Sequence, residues 1–131
     1  MKAIMLLAAI LAPASVSATP TDQFIARWEA ASRAPKQPGV TAEQALATPE
    51  LKALVEEFFA VANEYRRQIL EARAAGTPPR ACPPKSLDLS IDTVLADIRS
   101  LPTTWQSRDF ADSFGAALDK RYPCSANAQN T

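Results

Sequence analysis

Three sets of side chains in this sequence have the chemistry to act on something. They are two cysteines, Cys82 and Cys124; a scatter of carboxylates, closest together at Glu56-Glu57 and Asp109/Asp112; and an aromatic–cationic set, Tyr65-Arg66-Arg67 with Trp105. The 131 residues include no His, which removes the commonest general base and the commonest neutral metal ligand. No GxSxG, HExxH, P-loop or GxGxxG motif occurs, and the Ser and Thr hydroxyls have no imidazole to activate them. General acid–base work needs two carboxyls held in a cleft that separates their pKa values, whereas these fall on helix faces expected to be wet. The reading is therefore of a protein that is not an enzyme, with no catalytic residue, no cofactor and no metal site. Two thiols with no CxxC spacing and no third Cys form one disulfide in an oxidising compartment. Bridging Cys82 to Cys124 closes a loop of about 43 residues, for which chain entropy gives roughly 4 kcal/mol. Arg, Tyr and Trp are the residues enriched at binding hot spots. Arg66 and Arg67 read as surface charges. Trp105 stands outside every periodic stripe, so two readings remain open for it: a lid folded back on the core, or an exposed anchor for a partner.

The compartment follows from the amino terminus. Met1-Lys2 supplies a positive start, Ala3 to Ala12 an uncharged apolar run, and Val16-Ser17-Ala18 small residues at the positions a signal peptidase reads. Residues 1–18 are expected to be a signal peptide cleaved after Ala18, which places the chain in the periplasm. The run is shorter than the ~20 residues a membrane span requires, so no stable membrane anchor is expected. The sequence carries 14 basic and 14 acidic residues. This balance gives no footprint for nucleic acid or an anionic membrane.

The elements that must position these residues are helices separated by proline. Thr21 is expected to cap a first helix running to about Arg33, with Phe24, Ile25, Trp28 and Ala31 on one face. Thr41 with Gln44 resembles a capping box, predicting a turn or two of helix over 42–47. Thr48-Pro49-Glu50 opens a long helix that Gly76 stops. Leu51, Leu54, Val55, Phe58, Ala62, Tyr65 and Ile69 mark its buried face. Phe59, Val61 and Leu70 widen that face and imply more than one packing neighbour. The segment 77–85 (TPPRACPPK) is stiff and extended, pinning Cys82 and presetting the path onward. Ser90 caps a third helix through Leu101, ended by Pro102. Ser107 is expected to cap the last, with Phe110, Phe114, Ala117, Leu118 and Tyr122 buried and Pro123 as its stop. The fold class is all-α, a small disulfide-stapled bundle of four to five helices in one domain, 19–124, followed by a polar disordered tail, 125–131.

The stretch from Phe58 to Cys124 resembles the Rap/Tai-type immunity proteins, which protect bacteria against peptidoglycan amidases delivered by type VI secretion. The elements that carry the resemblance are Tyr65, then Cys82-Pro83-Pro84, then Ser90 to Leu101 with Pro102, then Phe110-Ala111 through Ala116-Ala117-Leu118 to Tyr122-Pro123-Cys124. It implies a small exported helical protein that binds a secreted Cys–His amidase and blocks its substrate groove without chemistry of its own. The contact is placed on Leu101, Pro102, Thr103, Thr104, Trp105, Gln106 and Ser107, with Trp105 as anchor. The resemblance also implies a homodimer, for which the wide apolar face of the long helix offers a surface. Two other classes fit the composition. A periplasmic stress chaperone would open in acid as its carboxylates protonate, and a helical carrier of a small apolar ligand would need a sizeable internal cavity.

Overall fold

The computed structural model describes residues 19–33, 39, 41, 44 and 48–124. The expected signal peptide, 1–18, the tail, 125–131, and most of the short turn over 42–47 lie outside the described residues. The described residues form an all-α bundle of four helices: α1 (Thr21–Arg33), α2 (Pro49–Ala74), α3 (Ile91–Arg99) and α4 (Phe110–Arg121), with a single 3₁₀ turn, Thr103–Ser107, between α3 and α4.

Local chemistry explains most of the boundaries. Thr48 accepts from the Leu51 amide at 3.4 Å and Pro49 takes the first helical position of α2, where its missing N–H costs nothing. At the other end the Gly76 amide donates to Arg73 and the Thr77 amide to Ala72, the paired bonds of a Schellman close. That close needs the left-handed φ of +70° at Gly76, open to glycine without steric cost. Ser90 accepts from the Thr93 amide at 3.1 Å and so caps α3. The Thr41–Gln44 pair makes both reciprocal bonds of a capping box.

Two caps fall elsewhere. Thr21 is the first residue of α1 rather than its cap; the Phe24 amide bonds the Pro20 carbonyl, while the Thr21 hydroxyl is drawn into contacts with α4. Ser107 closes the 3₁₀ turn, its hydroxyl donating to the Thr104 carbonyl at 3.3 Å. α4 starts only at Phe110, after Asp109, which makes no side-chain cap bond. The chain takes this detour because Pro20 and Asp109 pair in an isolated antiparallel bridge. The Thr21 amide donates to the Arg108 carbonyl and the Phe110 amide to the Thr19 carbonyl.

The core lies where α1 and α2 meet α4, with α3 packed against α4. Phe24 and Phe110 stack at 3.9 Å between ring centroids, and Phe58, Phe114 and Tyr65 extend the aromatic row along α2. Leu54, Leu95, Ile98 and Leu118 complete it, all fully buried. Each such side chain contributes about 1.5–3 kcal/mol of transfer free energy. α1 is thus an integral layer, also tied to α3 by a Trp28 Nε1–Asp92 hydrogen bond of 2.9 Å. The α2 face is narrower than its sequence suggests. Phe59 and Leu70 remain 55 % and 50 % exposed, because the helical pitch turns them away from the side that α1 and α4 cover.

Candidate functional site

Cys82 and Cys124 are joined in a disulfide with a Cα separation of 4.9 Å. Beside it the Cys82 amide donates to the Tyr122 carbonyl at 2.9 Å, so the stiff proline segment is fixed to the end of α4 at two points. The loop closed by this link consists of α3, the 3₁₀ turn and α4. The turn stands at its apex, at the opposite end of α4 from the crosslink.

The seven residues 101–107 divide by burial. Leu101 is in the core and anchors the turn from beneath. Pro102, Thr103, Thr104 and Ser107 are exposed, and Gln106 is half-buried. Trp105 is half-buried. One part of the indole packs against the core, while the other is covered by the Arg108 guanidinium, 4.2 Å above the ring. A cation held over an indole is attractive by about 0.5–1 kcal/mol at exposed sites. The pair forms a flat aromatic–cationic tile at the apex of the unit.

The tile is held in place by two fully buried hydroxyls. Thr21 Oγ1 lies 2.6 Å from Ser113 Oγ and 2.7 Å from the Arg108 carbonyl, and Ser113 Oγ lies 3.0 Å from the Trp105 carbonyl. Two hydroxyl protons serve three short contacts. The Arg108 carbonyl also accepts from the Thr21 amide at 2.9 Å and the Trp105 carbonyl from the Arg108 amide at 3.1 Å, so neither carbonyl depends on a hydroxyl proton alone. The two protons are shared along the line from the Arg108 carbonyl through Thr21 and Ser113 to the Trp105 carbonyl. Thus the backbone on both sides of the tile is bonded to α1 or α4. Sequence reasoning placed weight on Trp105 but not on Arg108, Thr21 or Ser113. The detectable signal was Arg108 three residues after Trp105; nothing local marked the two hydroxyls.

A second polar cluster braces the crosslinked end. Arg80, within the proline segment, donates to both Asp119 oxygens at 2.9–3.0 Å and to Gln68 at 3.1 Å, and its guanidinium lies 5.2 Å from the centre of the Tyr65 ring. The Tyr65 hydroxyl donates to the same Asp119 at 2.9 Å. Burial, reinforced by that carboxylate, pushes the Tyr65 phenol above its ordinary range. Tyr65 is therefore a core residue with a satisfied hydroxyl. Its neighbour Arg67 pairs along the helix with Glu64 and with Glu71, three residues before it and four after, while Arg66 is exposed. The Arg67 bonds hold the Glu64 carboxyl down at about 2.

Glu56, Glu57 and Asp109 line an open groove of about 710 Å³ floored by Ala60, Val61 and Phe110, and Glu57 pairs with Arg27 across it at 3.3 Å. Among the described residues no group of three or more His, Cys, Asp or Glu is placed to hold a metal, and no helix is long and apolar enough to cross a membrane. No protein family matches the chain, and neither does any curated protein or solved structure.

Proposed function

We propose that the chain is a periplasmic immunity protein that binds a type VI secreted peptidoglycan amidase and occludes its substrate groove. One observation carries the reading: the apex of the disulfide-closed unit presents Trp105 under Arg108, on backbone fixed by two buried hydroxyls. Blocking a groove needs shape rather than reactivity. A wedge ordered before binding loses little entropy when it docks, and Trp and Arg are the residues that concentrate binding energy at interfaces. The exposed Pro102, Thr103, Thr104 and Ser107 supply the polar rim, and Leu101 supports the wedge from the core. The resemblance of Phe58 to Cys124 to amidase immunity proteins names the class of partner.

The test is inhibition. The oxidised, exported chain is mixed with a Cys–His amidase encoded beside its gene, and peptidoglycan hydrolysis is followed together with complex formation by calorimetry. A 1:1 protein complex and loss of hydrolysis are expected, with both weakened at least about tenfold by Trp105→Ala, the scale of a hot-spot truncation. An amidase that stays fully active at saturating concentrations of the chain refutes the proposal. So does full inhibition by the Trp105→Ala/Arg108→Ala variant, which would move the contact to another surface.

A further inference from the structure

Thr19, the residue that follows the expected cleavage point, lines the open groove between α1, α2 and the start of α4. Its backbone is fixed there. The Thr19 carbonyl accepts from the Phe110 amide at 2.8 Å, and the next residue, Pro20, pairs with Asp109 in the antiparallel bridge. The hydrogen bonds of that bridge lie on the flanking residues, the arrangement that brings the paired side chains closest. The groove is short of positive charge. Glu56, Glu57 and Asp109 line it against Arg27 alone, and Arg27 already pairs with Glu57. Among the described residues Glu56 and Asp109 enter no ion pair. Asp109 is also idle in its local role. It holds the N-cap position of α4, where an Asp carboxylate ordinarily accepts a helix amide, yet it makes no side-chain cap bond. The Asp112 and Ser113 amides bond its main-chain carbonyl instead.

We infer that this groove is the seat of the mature amino terminus, and that cleavage after Ala18 creates there an ammonium on Thr19 that pairs with Asp109 and Glu56. Hydrolysis of the Ala18–Thr19 amide consumes one water. It leaves a carboxylate on the released peptide and an amine, protonated at neutral pH, on Thr19. In the precursor the same nitrogen is a neutral amide. It lies three bonds from the carbonyl oxygen that the Phe110 amide holds, so the new charge appears at a fixed place rather than on a loose end. The positive ends of α1 and α4 oppose a cation at this point. Three carboxylates against Arg27 and two helix ends of about half a charge each still leave the groove net negative. Asp22 and Asp112, in the first turns of the same two helices, add to that field. Arg108, the base adjoining Asp109, is taken up over Trp105. Processing thus supplies the ion that joins the start of α1 to α2 and α4. The inference rests on the export part of the proposed function and not on the amidase.

The reactivity of that amine tests it. Acylation needs the neutral amine, so an ammonium held by carboxylates reacts slowly. The exported, oxidised chain is treated at pH 7 with a limiting amount of acetic anhydride, and the label on the amino-terminal peptide is measured by mass spectrometry. The Thr19 amine is expected to react about tenfold more slowly in the folded chain than in the same chain unfolded in urea, the change in free amine that a one-unit rise in its pKa produces. Asp109→Asn and Glu56→Gln each recover part of the rate and together most of it, with an unchanged circular dichroism spectrum. Asp88→Asn, outside the groove, recovers none. An amine that reacts as fast folded as unfolded overturns the inference. So does a slow amine indifferent to both groove substitutions, which would be covered rather than paired. Sequencing the exported chain reads the cleavage separately: a first residue other than Thr19 overturns the export reading, whereas an unprotected Thr19 amine overturns only its seat in the groove.

Discussion

Removing the Thr21 and Ser113 hydroxyls one at a time and then together tests whether they form a chain of bonds or two separate contacts. Thr21→Val keeps the side-chain shape and deletes the hydroxyl that bonds Ser113 Oγ. The Arg108 carbonyl still accepts from the residue 21 amide at 2.9 Å, so no acceptor is orphaned, and the loss is that of one buried hydrogen bond, about 1 kcal/mol. Ser113→Ala deletes the donor to the Trp105 carbonyl, which keeps the Arg108 amide at 3.1 Å. The Thr21 hydroxyl keeps the Arg108 carbonyl at 2.7 Å. That change also costs about 1 kcal/mol. In the double variant both ends of the bond are apolar and nothing polar is stranded, so the cost falls short of the sum by about 0.5 kcal/mol or more, within the range of coupling between residues in contact. Urea unfolding monitored by tryptophan fluorescence reads all four corners of the cycle, and each kcal/mol corresponds to roughly 4–8 °C in the thermal midpoint for a domain of this size. Strictly additive losses, or single variants as stable as the parent, would refute the coupling of the two hydroxyls.

The crosslink, Gly115 and Tyr65 each yield a further expected outcome. Replacing Cys82 and Cys124 by Ala is expected to lower stability by roughly 4 kcal/mol, the loop-closure value, as measured by urea unfolding of the exported chain; a loss under about 1 kcal/mol would mean that the reduced chain already holds its ends together. Adding a methyl at Gly115 sets it 2.6 Å from Arg80 Nη2 and displaces the guanidinium from Asp119. Gly115→Ala is therefore expected to stabilise an Arg80→Ala background by about 1 kcal/mol through helix propensity alone, and the parent by less because there the guanidinium must shift; equal gains in both backgrounds would contradict this. The Tyr65 phenol is raised in the folded state, so the folded chain retains that proton where the unfolded chain has lost it. The corresponding stability is complete below the ordinary tyrosine value near 10 and declines as pH rises above it. Thermal midpoints across the alkaline range should fall more steeply for the parent than for Tyr65→Phe, and parallel curves would exclude Tyr65 as the cause.

Burial sorts residues 101–107 into support and surface. Leu101 is apolar and adjoins a helix end, so its place in the core was foreseeable. Trp105 was ambiguous for a physical reason. An indole has both a large apolar area and a face that attracts cations, and which of these is used depends on what lies above and below it. Here both are used, the core on one side and Arg108 on the other. Phe59 and Leu70 show the converse. Their hydrophobicity is written in the sequence, but their exposure depends on how much of the circumference of α2 the neighbouring helices cover.

What the sequence determined by itself was whatever is completed within a few residues. The Thr48–Pro49 start, the Gly76 close, the Ser90 cap, the Thr41–Gln44 pair and the Arg67–Glu71 bridge all have both partners inside one short segment, and each stands where local chemistry puts it. The helical periodicity and the two cysteines likewise required an all-α chain with a crosslink. What only the tertiary structure decided was the fate of groups with a choice of partner. The hydroxyls of Thr21 and Ser113, 92 residues apart, satisfy each other rather than capping or back-bonding their own helices. Ser107 closes a 3₁₀ turn because the adjoining Arg108–Asp109 backbone is taken up by Pro20 and Thr21. A buried hydroxyl bonds to whatever acceptor the packing brings within 3 Å, and packing is a property of the assembled helices rather than of any one of them.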